Sequence, residues 1–135
     1  MRGMIPAAKP LIGDQERVAV DAVLASGGLA QGPQVFAFEA EFSSVVGGRE
    51  CVAVNSGTSA LHMALVALGI GAGDEVIVPS FTFAATANAV ALAGATPAFV
   101  DIEADSFCIN PEAAKAAITS RTKAVMPVHL YGHPA

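Results

Sequence analysis

The sequence predicts an α/β protein of three layers, with a mostly parallel sheet, crossover helices and a short helical N-terminal segment before them. Three observations predict it. From Cys51 onward, short apolar runs alternate with stretches of helical period. Those runs, "CVAVNS", "EVIVPS", "TPAFVDI" and "KAVMPVHL", are continuous rather than alternating, which suits parallel strands buried on both faces. Polar residues collect just beyond the expected carboxyl ends of the strands, at Asn55-Ser56, Pro79-Ser80, Asp101 and His129-Leu130-Tyr131. Open α/β sheets bind their ligands along that edge. The opposite strand ends carry Glu50, Glu75 and Lys123, which read as ordinary solvated positions.

The elements follow in order. Residues 14–25, "DQERVAVDAVLA", read as a helix with acidic residues early and Gly27-Gly28 after it. The glycine-marked loop "SGGLAQGP" leads to Pro33, which suits a first helical turn. Val35, Phe38, Phe42 and Val45 then recur at helical spacing until Gly47-Gly48. We place the end of the N-terminal segment here, giving 1–48 as the helical segment and 49–135 as the α/β part. Within the latter, the strand "CVAVNS" precedes the helix "GTSALHMALVALG", and "EVIVPS" precedes "FAATANAVALAG". The strand "TPAFVDI", the helix "NPEAAKAAI" and the strand "KAVMPVHL" complete the pattern.

Composition narrows the class. Of 135 residues, 53% are hydrophobic and only 14% charged, so we expect much of the surface to be covered by more protein or by a partner subunit. The net charge of −5 without a basic cluster argues against nucleic acid and anionic membrane as partners. The apolar stretch 87–100 is broken by Gly94 and Pro97 and is too short to span a bilayer. The opening "MRGMIPAAKP" has no continuous apolar segment, so no signal peptide is read there. Cys51 and Cys108 match no metal or redox spacing and read as buried small hydrophobes of a reducing, cytoplasmic compartment.

The stretch "NSGTSALHMAL" (55–65) carries more hydrogen-bonding groups than a turn needs. Free N–H groups at a strand-to-helix junction, the helix dipole and nearby hydroxyls make an anion site suited to phosphate. Gly57 lets backbone approach a ligand, and Thr58 and Ser59 add hydroxyl donors. A capped helix with nothing bound uses the same residues, and the local sequence leaves both readings open. A nucleophile elbow is excluded because Val54 and Thr58 flank Ser56 where glycines are needed. No Walker lysine follows a glycine-rich loop, and "GIGAG" (69–73) follows a helix, the wrong context for a dinucleotide fingerprint. His129 and His133 lie four apart, but Gly132 and Pro134 deny them a shared helix face, so no metal site is expected. His62 reads as packed within its helix. Beyond the next strand, Phe81 and Phe83 flank the phosphate candidate, where an aromatic can stack on a flat ligand or serve the core.

Four segments, "VLASGGLAQGPQVFAFEAEF" (23–42), residues 52–90, "GATPAFVDIEADSFCINPEAA" (94–114) and "ITSRTKAVMPVHLYGHPA" (118–135), together resemble the DegT/StrS-type nucleotide-sugar aminotransferases of PLP fold type I. The resemblance covers essentially the whole chain and matches the N-terminal portion of such enzymes. It implies pyridoxal 5'-phosphate as cofactor, its phosphate held by Gly57, Thr58 and Ser59 and its ring stacked on Phe83, with Phe81 structural. It implies Tyr131 as a substrate contact, a nucleotide-sugar and an amino-acid donor, usually glutamate, as small-molecule partners, and a homodimer. The family usually has an aromatic where this chain has Gly28, which leaves that aromatic's role open here.

PLP transamination also needs an acid facing the pyridinium nitrogen and a Schiff-base lysine that shuttles the proton. The lysines are Lys9, Lys115 and Lys123, none well placed, and Asp101 reads as a strand-ending aspartate. In the family both groups come later than residue 135, so no catalytic residue is assigned and the chain alone is expected to be inactive. The implied activity is amino transfer to a keto-sugar nucleotide for polysaccharide, cell-surface sugar or antibiotic sugar synthesis. The alternatives are a sugar dehydratase of the same family, with histidine for lysine, and a non-catalytic fragment that only binds cofactor or pairs with other subunits.

Overall fold

The computed structural model describes residues 9–135; residues 1–8, where most of the signal-peptide reading falls, lie outside the described residues. The chain divides into two compact units, one ending at Ala53 and the other running from Val54 to Ala135.

The first unit carries two helices, α1 (Asp14–Ser26) and α2 (Pro33–Val45). Glu16 closes the start of α1 by accepting from the N–H of Gly13 (2.7 Å), and Gly27 ends it at φ 72°, a left-handed cap that costs glycine little. Pro33 opens α2 with its φ already helical. Along α2, Phe38 and Phe42 stack in a tilted pair with centroids 5.8 Å apart. Neither helix buries a residue fully, and Val18, Leu24, Phe36 and Val45 all stand more than half exposed. That apolar surface agrees with the low charged fraction.

The second unit is the α/β layer. Its strands are β1 (Glu75–Pro79), β2 (Thr96–Val100) and β3 (Thr122–Val125), and its helices are α3 (Gly57–Ala67), α4 (Ala85–Leu92) and α5 (Pro111–Ala116). The sheet is parallel in the order β2-β1-β3. Central β1 is buried at every position, as its unbroken apolar run predicts. Successive side chains point to opposite faces. Val76 and Val78 pack with Leu65, Ile70, Ala89 and Val90 on the α3–α4 side, and Ile77 packs with Val100 and Ala114 on the α5 side. Helices therefore cover both faces, giving the three layers expected.

Several sequence readings change. "CVAVNS" forms no strand: Val52 is 79% exposed, and residues 51–54 pair with no neighbour among the described residues. An apolar run supplies the propensity for a strand, but a ladder also needs an adjacent strand. The last strand stops at Val125 instead of reaching Leu130. Met126 still donates to Ile77 O (2.8 Å), but Pro127 has no N–H to continue the ladder. Cys108 is buried as expected, whereas Cys51 is only partly so.

Glu75 is not a solvated strand end. It is 8% exposed, accepts from the Thr119 hydroxyl (2.5 Å) and forms an ion pair with Arg121. The Thr119 hydrogen bond chiefly holds its carboxyl below the ordinary value of 4.5; burial opposes this, and the Arg121 guanidinium adds to the lowering. A lowered folded-state pKa means that the unfolded chain binds more protons in acid. The stabilisation is full above the ordinary value and is lost as pH falls through the lowered one. We expect the urea midpoint to drop below about pH 4.5, and Glu75→Gln to flatten that part of the profile.

Candidate functional site

The second unit carries a cleft of about 620 Å³ lined by the first turn of α3, the β1–α4 connection with the start of α4, and the segment after β3. Topology produces it. β1 lies beside β3, so the chain leaving β1 and the chain leaving β3 emerge side by side at the carboxyl edge of the sheet.

The stretch 55–59 resolves into two sets of groups. Ser56 is the N-cap of α3, with extended φ and ψ, and its Oγ accepts from the N–H of Ser59 (3.1 Å). The Ser59 hydroxyl donates to Asn55 Oδ1 (2.8 Å), which leaves the Ser56 hydroxyl to donate to Ser59 Oγ (2.9 Å). Asn55, Ser56 and Ser59 thus satisfy one another and hold the junction. Gly57 and Thr58 line the cleft, and their N–H groups have no acceptor among the described residues. Gly57 has no positive φ, and a Cβ built on it meets no atom within 4 Å. The fold does not require glycine here, and its lack of a side chain keeps the helix start open to a ligand. Ser59, expected beside Gly57 and Thr58, is absent from the lining and has its hydroxyl engaged.

Phe83 lines the cleft and is 79% exposed, whereas Phe81 packs against Phe107 with ring centroids 5.9 Å apart. Thr82, in the β1–α4 connection, and Thr86, in the first turn of α4, share a hydroxyl hydrogen bond (3.1 Å) in the lining. Met126, Pro127, Val128 and His129 form the opposite wall. Sequence reasoning missed Thr82, Thr86, Met126 and His129 as neighbours of Gly57. The i, i+4 threonine spacing was a usable signal, but the wall depended on β3 lying beside β1.

Tyr131 does not line the cleft. It is 85% exposed within the turn Leu130–Gly132, at φ 52° and ψ 24°. His62 is half-buried on α3. Asp101 directly follows β2, its Oδ1 accepting from the N–H of Ile102 (2.8 Å). The ring nitrogens of His129 and His133 have separate partners, the N–H of Ala135 (2.9 Å) and Pro134 O (3.0 Å). Lys9, Lys115 and Lys123 are all exposed, and none lines the cleft.

The arrangement defines a doubly wound α/β protein with an open helix N-terminus and an exposed aromatic ring at the carboxyl edge of its sheet. The chain belongs to the DegT/DnrJ/EryC1/StrS aminotransferase family, whose profile matches residues 10–135. Solved relatives agree. DesV of S. venezuelae, in complex with a ketimine intermediate, is 46% identical, with a TM-score of 0.80 over 90% of this chain and 34% of DesV. Spr1654 of Streptococcus pneumoniae, in its PMP form, is 38% identical, with a TM-score of 0.89 over 97% of this chain and 33% of Spr1654. NtdA of Bacillus subtilis, with bound cofactor PMP, is 36% identical, with a TM-score of 0.82 over 98% of this chain and 33% of NtdA. The chain spans about a third of the length of these structures, matching their N-terminal part.

Proposed function

We propose that this chain forms the phosphate-anchoring part of a pyridoxal-phosphate-dependent aminotransferase that moves an amino group, with glutamate as donor, to a keto-sugar nucleotide. The observation that carries the reading is the pair of unengaged N–H groups on Gly57 and Thr58, in one cleft with exposed Phe83. The residues present suit the cofactor. A phosphate is favoured at the helix start by the N–H donors and the dipole, and the absent Gly57 side chain leaves room for it. When bound, the cofactor supplies the aldehyde and the electron-withdrawing ring that amino transfer requires. Gly57 and Thr58 hold the phosphate, the Asn55–Ser56–Ser59 network keeps the junction in register, and Phe83 covers one face of the ring. Tyr131, beyond the cleft, contacts substrate.

The reading assigns 1–48 to a helical segment and 49–135 to the first part of the PLP-binding domain of a cytoplasmic homodimer active in sugar biosynthesis. The lysine and the acid that act on the cofactor come from outside these residues. Phe83→Ala should weaken cofactor binding about tenfold through lost stacking and buried area. It should leave stability within about 0.5 kcal/mol, because the ring is exposed in the free chain.

The alternatives are a sugar dehydratase of the same family and a non-catalytic fragment. Borohydride reduction of the gene product loaded with cofactor tests the choice. Covalent fixation of the cofactor supports the aminotransferase. Binding without fixation points to the dehydratase, with histidine in place of lysine, or to a fragment that only binds cofactor. No binding at all supports the non-catalytic reading.

A further inference from the structure

Among the described residues, His129 is the one titratable side chain in the lining of the cleft, and no lysine or arginine lines it. An anionic ligand there depends on neutral donors. The local fold is built around this histidine. Its Nδ1 accepts from the N–H of Ala135 (2.9 Å), and its carbonyl accepts from the N–H of Gly132 (3.2 Å). The intervening turn runs through positive φ at Tyr131 (52°) and Gly132 (83°), and the left-handed conformation costs the non-glycine Tyr131 about 1 kcal/mol or more. With Nδ1 acting as acceptor, the proton of the neutral ring sits on Nε2. The nitrogen left to meet a ligand is therefore a donor.

We propose that His129 binds the cofactor, donating its Nε2–H to an oxygen of pyridoxal phosphate, either on the phosphate or on the ring; this rests on the cofactor reading above. The test titrates the full gene product with pyridoxal phosphate, and separately with inorganic phosphate, for wild type, His129→Ala and His129→Gln. His129→Ala should lose about tenfold in affinity for pyridoxal phosphate, and His129→Gln, whose amide also donates, should stay within about threefold of wild type. Loss toward pyridoxal phosphate alone identifies a ring oxygen, and equal loss toward inorganic phosphate identifies the phosphate; either supports the proposal. Ala135→Pro, which removes the N–H that orients the ring, is expected to lose several-fold as an independent variant. Wild-type affinity in His129→Ala overturns the proposal. So does a loss in His129→Gln equal to that in His129→Ala with an unchanged urea midpoint, because shape rather than donation would then matter. A wild-type protein that binds no pyridoxal phosphate overturns the cofactor reading itself, and this contact with it.

Discussion

Gly57→Asp should abolish cofactor binding while leaving the fold intact or slightly firmer. The two effects oppose each other because they act on different states. In the free chain, an acidic residue in the first turn of α3 interacts favourably with the helix dipole, by about 0.3–1 kcal/mol. The new Cβ meets no protein atom, and position 57 has no left-handed φ, so no steric cost offsets that gain. In the loaded state, a carboxylate stands within a few ångströms of the phosphate. At an effective dielectric constant near 20, such a pair repels by about 4 kcal/mol per unit charge, on the order of a thousandfold in affinity. Paired measurements of urea midpoint and cofactor affinity check this. A variant that loses stability along with binding would show that glycine serves the fold.

Ile77→Ala should be the most damaging of the conservative core changes. Ile77 is fully buried at the centre of β1, between β2 and β3, and packs with Val100 and Ala114 on the α5 side. Removing three carbons from a site closed on every side costs about 2–5 kcal/mol, a large share of the 5–15 kcal/mol available to a typical domain. Val125→Ala, at an edge-strand position 46% exposed, should stay within about 0.5 kcal/mol of wild type. Urea denaturation of the two variants side by side checks the contrast. Equal midpoints would contradict the placement of the core.

What was legible in the sequence follows from what is local. The run "EVIVPS" announced β1 because a strand buried on both faces must be apolar at every position, and Gly47-Gly48 announced the end of α2 because the chain turns there through positive φ. "CVAVNS" carried the same local signal and forms no strand, since pairing depends on a neighbour that a local pattern cannot supply. Glu75 looked like any strand-end carboxylate; its partners Thr119 and Arg121 are more than forty residues away. The candidate site divides the same way. Gly57, Thr58 and Phe83 were singled out from a helix start and a strand end, and all three line the cleft. Ser59 was indistinguishable from Thr58 until its hydroxyl was seen to close a ring of hydrogen bonds with Asn55 and Ser56. His129 belongs to the cleft only because β3 lies beside β1.

The central claim is that the start of α3 holds a phosphate. Amide chemical shifts recorded during titration of the gene product with pyridoxal phosphate test it most directly. The largest shifts should fall on the N–H groups of Gly57 and Thr58, with smaller ones at Phe83 and little change in α5. Saturable binding with no movement at Gly57 and Thr58 would contradict it.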